Sequence, residues 1–354
     1  MARSAAYARS RDRVARMCQQ LDDARALRLQ VVAEIRQVVG FDAYAWLLTD
    51  PETSVGSAPL ADVPCLPELS LAIRLKYLTE VNRWTSLSAT SVALLHATTG
   101  GDLARSLLWR DLLSGYRIHD IASSVFRDRF GCWGFLDLWR SDDVAPFGVN
   151  EAAFLTSLLE PVTTALRRCQ ANTFLVGHRP GRRRLGPVVL LLSPALEVVG
   201  QTPQTQEYLR ALVPPARGLS PIPASAYNVA AQLLAVEADV DRNPPSARVH
   251  VSDGQWVTLR AARIGGSTPR AQRAIAVTIE ESSPTERMAV FARAFGLSAR
   301  ESELLGHLGT GGSTRDVART MCVSEHTVQD HLKSIFTKTS AHNRRTVLSR
   351  ALGT

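Results

Sequence analysis

The chain has 354 residues, of which 45% are hydrophobic and 21% are charged. This composition is typical of a soluble globular protein with two or three domains and argues against a disordered chain. The formal net charge of +8 favours an anionic partner, with nucleic acid ahead of a membrane surface.

The five cysteines are scattered and never stand in a C-x-x-C spacing, which argues against a disulfide framework or a zinc site. The basic N-terminus lacks the apolar segment of a signal peptide, and no run approaches the roughly 18 apolar residues of a membrane span. We therefore expect a cytoplasmic protein without membrane contact, and the sequence predicts neither a metal nor a cofactor.

The first part of the chain mixes helical and strand patterns. Residues 1–20 are rich in Arg and Ala, and we interpret them as a basic mobile arm or a frayed helix start. Apolar residues then recur at helical spacing from Leu21 to Gly40 and predict a helix. Four later runs predict strands: AYAWLLTD, SVALLHA, IHDIASSVF and GCWGFLDLW. A helical pattern over 150–170, with a kink expected at Pro161, closes an α+β unit.

The next segment, VGHRPGRRRLG, predicts an exposed linker because it combines Gly, Pro and clustered Arg. A second unit opens with PVVLLLSPALEVVG, two apolar runs separated by a Ser-Pro turn signal. Helical patterns follow near 204–212 and 226–237, and then the strand-like runs ARVHVS, QWVTLRAARI and QRAIAVTIEE. This order predicts an antiparallel sheet covered by helices on one side.

The last sixty residues carry the signals of a helix-turn-helix. Ser298 and Glu301 have the spacing of a capping box at a helix start, and Gly311-Gly312 ends that helix. A short second helix is predicted at 314–321. The tight link Cys322-Val323-Ser324 forces a steep helix crossing, and Ser324 is a natural N-cap for the third helix.

The third predicted helix has two different sides. Val328, Leu332 and Ile335 fall at i, i+4 and i+7 and must face the core. The opposite side is polar and consists of His326, Gln329, Asp330 and Lys333. A solvated surface would look the same on an isolated helix, but the neighbouring capped helix and tight turn favour DNA binding.

This stretch resembles the LuxR-type helix-turn-helix family, whose pattern runs approximately LTxREx(E)VL, GxSNxEIA and LxISxxTVxxHLxxIxxKLGVxxR. The matching residues are Leu297, Arg300, Glu301, Leu305, Gly312, Ser313, Val317, Ala318, Ser324, Thr327, Val328, His331, Leu332, Ile335, Lys338 and Arg344. The resemblance implies an all-α four-helix domain that binds DNA in a bacterial transcription regulator. The expected DNA-binding residues are Ser324, His326, Thr327, Gln329, Asp330, Lys333, Lys338, Arg344 and Arg345.

Within that set, the resemblance makes Gln329, Asp330 and Lys333 the base readers and places Thr327 and Lys338 at phosphates. Gln suits adenine and Lys suits guanine, whereas Asp can accept from cytosine N4. Because phosphates repel an unpaired carboxylate, Asp330 is alternatively expected to pair with Lys333 at i+3. The sequence departs from the family at Gln329, where Lys or Arg is frequent, and at Ser340-Ala341, where Gly-Val is usual. The fourth helix, about 342–352, serves dimerisation in the family.

The two front units resemble known sensor domains in their order of elements. The first resembles a GAF domain and the second a PAS domain, folds that cup a small ligand or pair subunits. Aromatic residues at strand positions are the candidates for lining a pocket, although aromatics on strands also fill cores. The candidates are Tyr44, Trp46, Trp133, Phe135, Trp139 and Trp256.

The sequence therefore predicts a multidomain protein with two α+β antiparallel-sheet units and an all-α tail. The expected boundaries are an arm at 1–20, a GAF-like domain at 21–172, a linker at 173–186, a PAS-like domain at 187–282, a connecting helix at 283–294 and the helix-turn-helix domain at 295–354. We find no GxxxxGK[ST], GxSxG or HExxH pattern and expect no enzyme. The expected partners are double-stranded DNA, a second copy of the chain and an unknown small molecule. Alternatively, the front domains act only as scaffolds.

Overall fold

The computed structural model describes residues 2–175, 188–212, 223–252, 255–266 and 269–353. Most of the predicted Arg-rich linker, from residue 176 onward, lies outside these ranges. The described chain forms two units built on antiparallel sheets, followed by a helical C-terminal unit. No described helix is both long and apolar enough to cross a membrane.

The first unit has a five-stranded sheet of order β2-β1-β5-β4-β3, with antiparallel neighbours throughout. Its helices are α1 (Ala2–Gln20), α2 (Ala24–Val38), α3 (Leu69–Leu78), α4 (Leu95–Thr99), α5 (Leu107–Asp111) and α6 (Val149–Asn172). Its strands are β1 (Ala43–Thr49), β2 (Gly56–Asp62), β3 (Ala93–Leu94), β4 (Ile118–Asp128) and β5 (Gly131–Ser141).

Strand alternation divides this sheet into two covered faces. Trp46 on β1 and Leu136 on β5 face the helices α2 and α6, where they meet Ile35. Leu47 and Phe135, one residue along each strand, belong to a separate core on the opposite face. Successive side chains of a strand point to opposite sides, so the adjacent residues Trp46 and Leu47 belong to different cores.

The N-terminal segment, for which the sequence predicted a mobile arm or a frayed helix start, forms the regular helix α1. Val14 and Cys18 are buried, and the ring of Tyr7 stacks on Phe154 of α6 at 4.8 Å between centroids. The apolar stripe is narrow and interrupted by arginines, which hides the helical pattern in the sequence.

Two other segments differ in extent from the sequence prediction. SVALLHA contributes only the two-residue strand β3 before α4 begins. Pro161 lies inside α6, which continues as one helix to Asn172.

The second unit repeats the strand arrangement of the first. Its elements are β6 (Val188–Leu192), β7 (Val198–Gln201), α7 (Thr205–Leu212), α8 (Ala224–Glu237), β8 (Ser246–Ser252), β9 (Gln255–Arg263) and β10 (Ile275–Glu281). The sheet order is β7-β6-β10-β9-β8. Numbered within each unit, both sheets follow the order 2-1-5-4-3.

Helix α8 is the main contact between the two front units. It packs on β9 of its own sheet and on α3 and β2 of the first unit. Its polar residues Ser225, Asn228 and Gln232 are buried as a result. A helix covered on both sides lacks the single apolar stripe of a surface helix.

Charged residues reinforce this interface. The Arg248 guanidinium of β8 donates to Asp50, which follows β1, with an Nε–Oδ2 distance of 2.7 Å. Burial by itself would raise the pKa of Asp50, but the hydrogen bonds from Arg248 outweigh burial and lower it. At a second point, Arg83 lies 3.5 Å from Asp241.

The C-terminal unit contains α9 (Pro284–Ala294), α10 (Ala299–Gly309), α11 (Thr314–Thr320), α12 (Glu325–Thr339) and α13 (Arg344–Leu352). Capping boxes at Ser283, Ser298 and Ser313 begin α9, α10 and α11. These caps satisfy the free backbone N–H groups at each helix start.

Phe174, just beyond α6, joins all three units. Its ring stacks on Trp256 of β9 at 4.9 Å and meets Phe291 of α9 edge-on at 5.3 Å. The Arg287 guanidinium lies 5.0 Å from the ring centroid. Phe174 is 1% exposed, so each unit contributes to a common aromatic cluster.

Phe174→Ala should lower the free energy of unfolding by about 3–5 kcal/mol, because it leaves a cavity where three units meet. Urea denaturation followed by tryptophan fluorescence measures the loss. Leu175→Ala is the matched control, since Leu175 is 42% exposed and its truncation should cost less than about 0.5 kcal/mol. Equal unfolding midpoints for the two variants would show that the aromatic cluster does not hold the units together.

Candidate nucleic-acid interface and ligand cavity

The start of α12 is fixed by a capping residue and a tight turn. The Ser324 side chain accepts a hydrogen bond from the Thr327 backbone N–H at 3.0 Å. Cys322 adopts a left-handed backbone conformation with φ of 54°, which turns the chain sharply between α11 and α12. Val328 and Ile335, on the core-facing side of α12, are fully buried.

The opposite side of α12 faces solvent. The side chains of His326, Lys333 and Asp330 are 83%, 72% and 55% exposed, and Gln329 is also exposed. The front units therefore leave this polar side of the helix accessible. A straight helix with one exposed polar side is the shape that enters a major groove.

Asp330 forms the ion pair that the sequence predicted. The Lys333 Nζ lies 3.2 Å from Asp330 Oδ1, and His326 Nε2 lies 3.5 Å from Asp330 Oδ2. The carboxylate is thus flanked by two nitrogen groups of the same helix. This arrangement reduces the repulsion that an unpaired Asp330 would exert on a phosphate.

Two of the predicted DNA-binding residues have partners inside the domain. Lys338 Nζ lies 2.6 Å from Glu301 Oε2, and Ser334 donates to the other carboxylate oxygen at 2.5 Å. Arg344 donates to the carbonyl of Gly312 at 2.8 Å. These contacts tie α12 and α13 to α10 and its following turn. Arg345 is exposed at the start of α13.

The electrostatics of Glu301 follow from these contacts. Burial tends to raise its pKa, but hydrogen bonds from Lys338, Ser334 and Ser298 prevail and lower the pKa to about 2. The carboxylate is therefore held ionised between two helices.

A separate candidate site lies in the first unit, where a cavity of about 190 Å³ opens between its sheet and α3. Of the six aromatic candidates from the sequence, only Trp139 lines it. The complete lining is Ala45, Leu47, Pro59, Ala61, Val63, Cys65, Leu66, Leu69, Ala72, Ile73, Lys76, Trp84, Leu108, Asp137, Trp139, Ala224 and Asn228. The last two residues come from α8 of the second unit.

The other five candidates lie elsewhere. Tyr44, Trp46 and Trp133 belong to the core on the helix side of the sheet. Phe135 lies behind the cavity and stacks on Trp84 at 5.4 Å, and Trp256 packs against Phe174. Strand alternation explains the positions of Tyr44 and Trp46, because their neighbours Ala45 and Leu47 face the cavity.

The sequence analysis missed the charged part of the cavity wall. Lys76 Nζ on α3 lies 2.8 Å from Asp137 Oδ2 on β5, and Trp84 Nε1 donates to Asp137 Oδ1 at 3.1 Å. Both charged side chains are almost fully buried. A carboxylate in the middle of the apolar run GCWGFLDLW was the available signal.

Glu301→Gln should destabilise the chain at neutral pH by about 1.5–3 kcal/mol, because it removes charge-assisted hydrogen bonds. The folded-state pKa of about 2 lies below the ordinary 4.5, so the stabilisation is present above about pH 4.5 and disappears as the pH falls towards 2. Urea unfolding followed by far-UV circular dichroism at neutral pH and at about pH 3 should show the two proteins converging.

The control is Glu303→Gln, since Glu303 makes an exposed pair with Arg300 on the same helix and exposed pairs contribute little. A pH-independent difference between Glu301→Gln and the natural protein would rule out the ionised carboxylate as its cause.

Residues 296–351 match the family described as bacterial regulatory proteins, luxR family. The CsgBAC operon transcriptional regulatory protein of Escherichia coli is 40% identical over 55 residues, which are 16% of this chain and 26% of that protein. The monoamine regulon transcriptional regulator of Klebsiella aerogenes is 41% identical over 54 residues, 15% of this chain and 24% of that protein. The chain thus spans about a quarter of the length of these relatives.

The crystal structure of Escherichia coli SdiA aligns with 97% of this chain and 96% of its own at 13% identity, with a TM-score of 0.37. That score is too low to support an inference about function. Residues 296–351, which match the luxR family model, form a helix-turn-helix domain of the luxR type.

Proposed function

We propose that this protein is a sequence-specific transcription regulator that binds double-stranded DNA through α12. The observation that carries the proposal is the exposed polar side of α12, within a domain that matches luxR-family regulators. The helix places its aliphatic side in the core and its polar side in the major groove.

The side chains of α12 divide into three roles. Gln329 and Lys333 read base edges, since both are exposed one turn apart on the polar side of the helix and carry suitable hydrogen-bonding groups. His326 and Thr327, with Ser324 and Arg345, contact the sugar-phosphate backbone. Asp330 orients Lys333 through their ion pair.

We infer a structural role for the two residues that are already engaged within the domain. Lys338 neutralises Glu301 between α10 and α12, and Arg344 binds the turn after α10. The charge of Arg344, which is bound only by carbonyl oxygens in these contacts, still contributes to the positive potential that attracts DNA.

The protein acts as a homodimer in this proposal, because one recognition helix reads only a few base pairs and two half-sites supply specificity. The front units are GAF-like and PAS-like domains, an interpretation supported by their antiparallel sheets with flanking helices and shared strand order. Regulation of this kind takes place in the cytoplasm, where the DNA is.

The cavity supports control by a small molecule. A cavity needs roughly 10–15 Å³ to hold one water, so 190 Å³ admits a small organic ligand. Such a ligand would shift the population of DNA-competent dimers by binding one arrangement of the units more tightly than another.

Lys333→Ala should weaken specific DNA binding by about 1–3 kcal/mol, because it removes a direct contact to a base. Fluorescence anisotropy on a duplex that the natural protein selects from a random pool measures the loss. Arg25→Ala is the control, since Arg25 is an exposed cation on α2 of the first unit and its loss should leave the affinity unchanged. If both variants bind as tightly as the natural protein, α12 does not read this duplex.

Native mass spectrometry of freshly purified protein separates ligand control from the alternative in which the front units are scaffolds. We expect a mass increment per chain that disappears on denaturation. Enlarging a wall residue, Ala72→Trp, should abolish the increment because Ala72 lines the cavity. A bare mass that persists in protein purified under several growth conditions would favour the scaffold.

A further inference from the structure

We propose that the cavity takes an uncharged, elongated and largely apolar molecule that accepts a hydrogen bond from Trp139 and donates one to Asn228. Since Trp139 belongs to the first unit and Asn228 to the second, the molecule bridges the two units. This inference rests on the ligand-responsive function proposed above, and it assigns the chemistry of that ligand.

The hydrogen-bond donor is the indole of Trp139. The side chain lines the cavity and is 5% exposed, yet its Nε1 has no hydrogen-bond partner among the described residues. Leaving a buried donor unpaired is costly, and native proteins usually avoid it. A carbonyl or ether oxygen of a ligand would satisfy it.

The hydrogen-bond acceptor is the side-chain oxygen of Asn228. The residue is fully buried in α8 and lines the cavity. Its Nδ2 donates to the Ala224 carbonyl at 2.8 Å, whereas its Oδ1 is unpaired within the described part of the chain. A hydroxyl or amide N–H of a ligand would supply the missing donor.

Gly56 brings Asn228 close to the first unit. A Cβ at Gly56 would lie 3.0 Å from Asn228 Oδ1 and 2.5 Å from Leu47 Cδ2. The absence of a side chain therefore lets α8 approach β2 beside Leu47, so the unpaired oxygen lies at that end of the cavity.

The two groups are separated along β1. Trp139 pairs in register with Ala43, whereas Asn228 lies beside Leu47. Four residues of an extended strand span roughly 13 Å. A ligand that reaches from the Ala43 end to the Leu47 end of β1 is elongated, and we place its acceptor at the first end and its donor at the second.

The cavity wall also decides the charge of the ligand. Lys76 and Asp137 pair with each other at 2.8 Å, and Trp84 donates to the same carboxylate. The remaining wall is mainly aliphatic, so a charged ligand would lose its hydration without gaining a counter-ion. The molecule is therefore uncharged.

Binding is tested by titrating four probes into the full chain and following thermal unfolding. The probes are methyl ω-hydroxydecanoate, the free ω-hydroxydecanoate anion, decylammonium and methyl decanoate. The hydroxy ester carries an acceptor and a donor at opposite ends of a ten-carbon chain. We expect it to raise the unfolding temperature with its concentration, with both ions at least tenfold weaker.

Two variants assign the hydrogen bonds. Asn228→Ala should weaken the hydroxy ester about threefold to tenfold, the effect of one hydrogen bond, and leave methyl decanoate unchanged because it has no hydroxyl. Trp139→Phe should weaken both esters by a similar factor. Dissociation constants come from the concentration dependence within each variant, so a change in its own stability does not mask the result.

The matched controls are Gln232→Ala and Trp46→Phe. Gln232 lies one turn further along α8 and Trp46 lies on the other face of the sheet, and each has a side-chain polar atom without a partner among the described residues. Neither residue lines the cavity, so both variants should bind the esters like the natural protein.

The proposal is overturned if the hydroxy ester fails to stabilise the chain up to its solubility limit, if the carboxylate binds equally well, or if Asn228→Ala behaves like Gln232→Ala. DNA affinity is measured separately on the same preparations. If the protein binds DNA but not the probes, only the ligand assignment is rejected. If it binds the probes but not DNA, only the regulator function is rejected.

Discussion

The arrangement of the three units depends on the aromatic cluster around Phe174. A single ring beyond the end of α6 contacts Trp256 of the second sheet and Phe291 of α9. Aromatic pairs at such distances contribute beyond the area they bury. Because the first unit, the second unit and the helix that leads into the helix-turn-helix share this ring, none of them can rotate without losing its own contact with the cluster.

Local signals made the C-terminal domain accessible to sequence reasoning. Ser298 and Ser324 mark helix starts through hydrogen bonds to residues three positions away, and the structure contains both. The Asp330–Lys333 pair likewise depends only on helical spacing. The partners of Lys338 and Arg344 were missed, because Glu301 and Gly312 come from other parts of the domain.

The cavity was largely hidden for the same reason. To predict whether Trp46 or Leu47 lines the cavity, one must know which face of β1 the cavity lies on. That depends on the helices that cover the sheet, α2 and α6 on one face and α3 on the other. Asn228 lies more than 170 residues from β1 in sequence, so nothing local connects them. The sequence predicted at most a frayed helix start for residues 1–20, because arginines interrupt the apolar stripe of α1.

The contacts of α9 have a consequence for the placement of α12 relative to the front units. One side of α9 packs on the aromatic cluster, and Arg293 at its end donates to the carbonyl of Phe130 in the turn between β4 and β5. Helix α9 is thus fixed to the front units, and it leads directly into the helices that carry α12. If the chain binds DNA as the proposed dimer, the packing of the front units would determine the distance between the two copies of α12, and therefore the number of base pairs between half-sites.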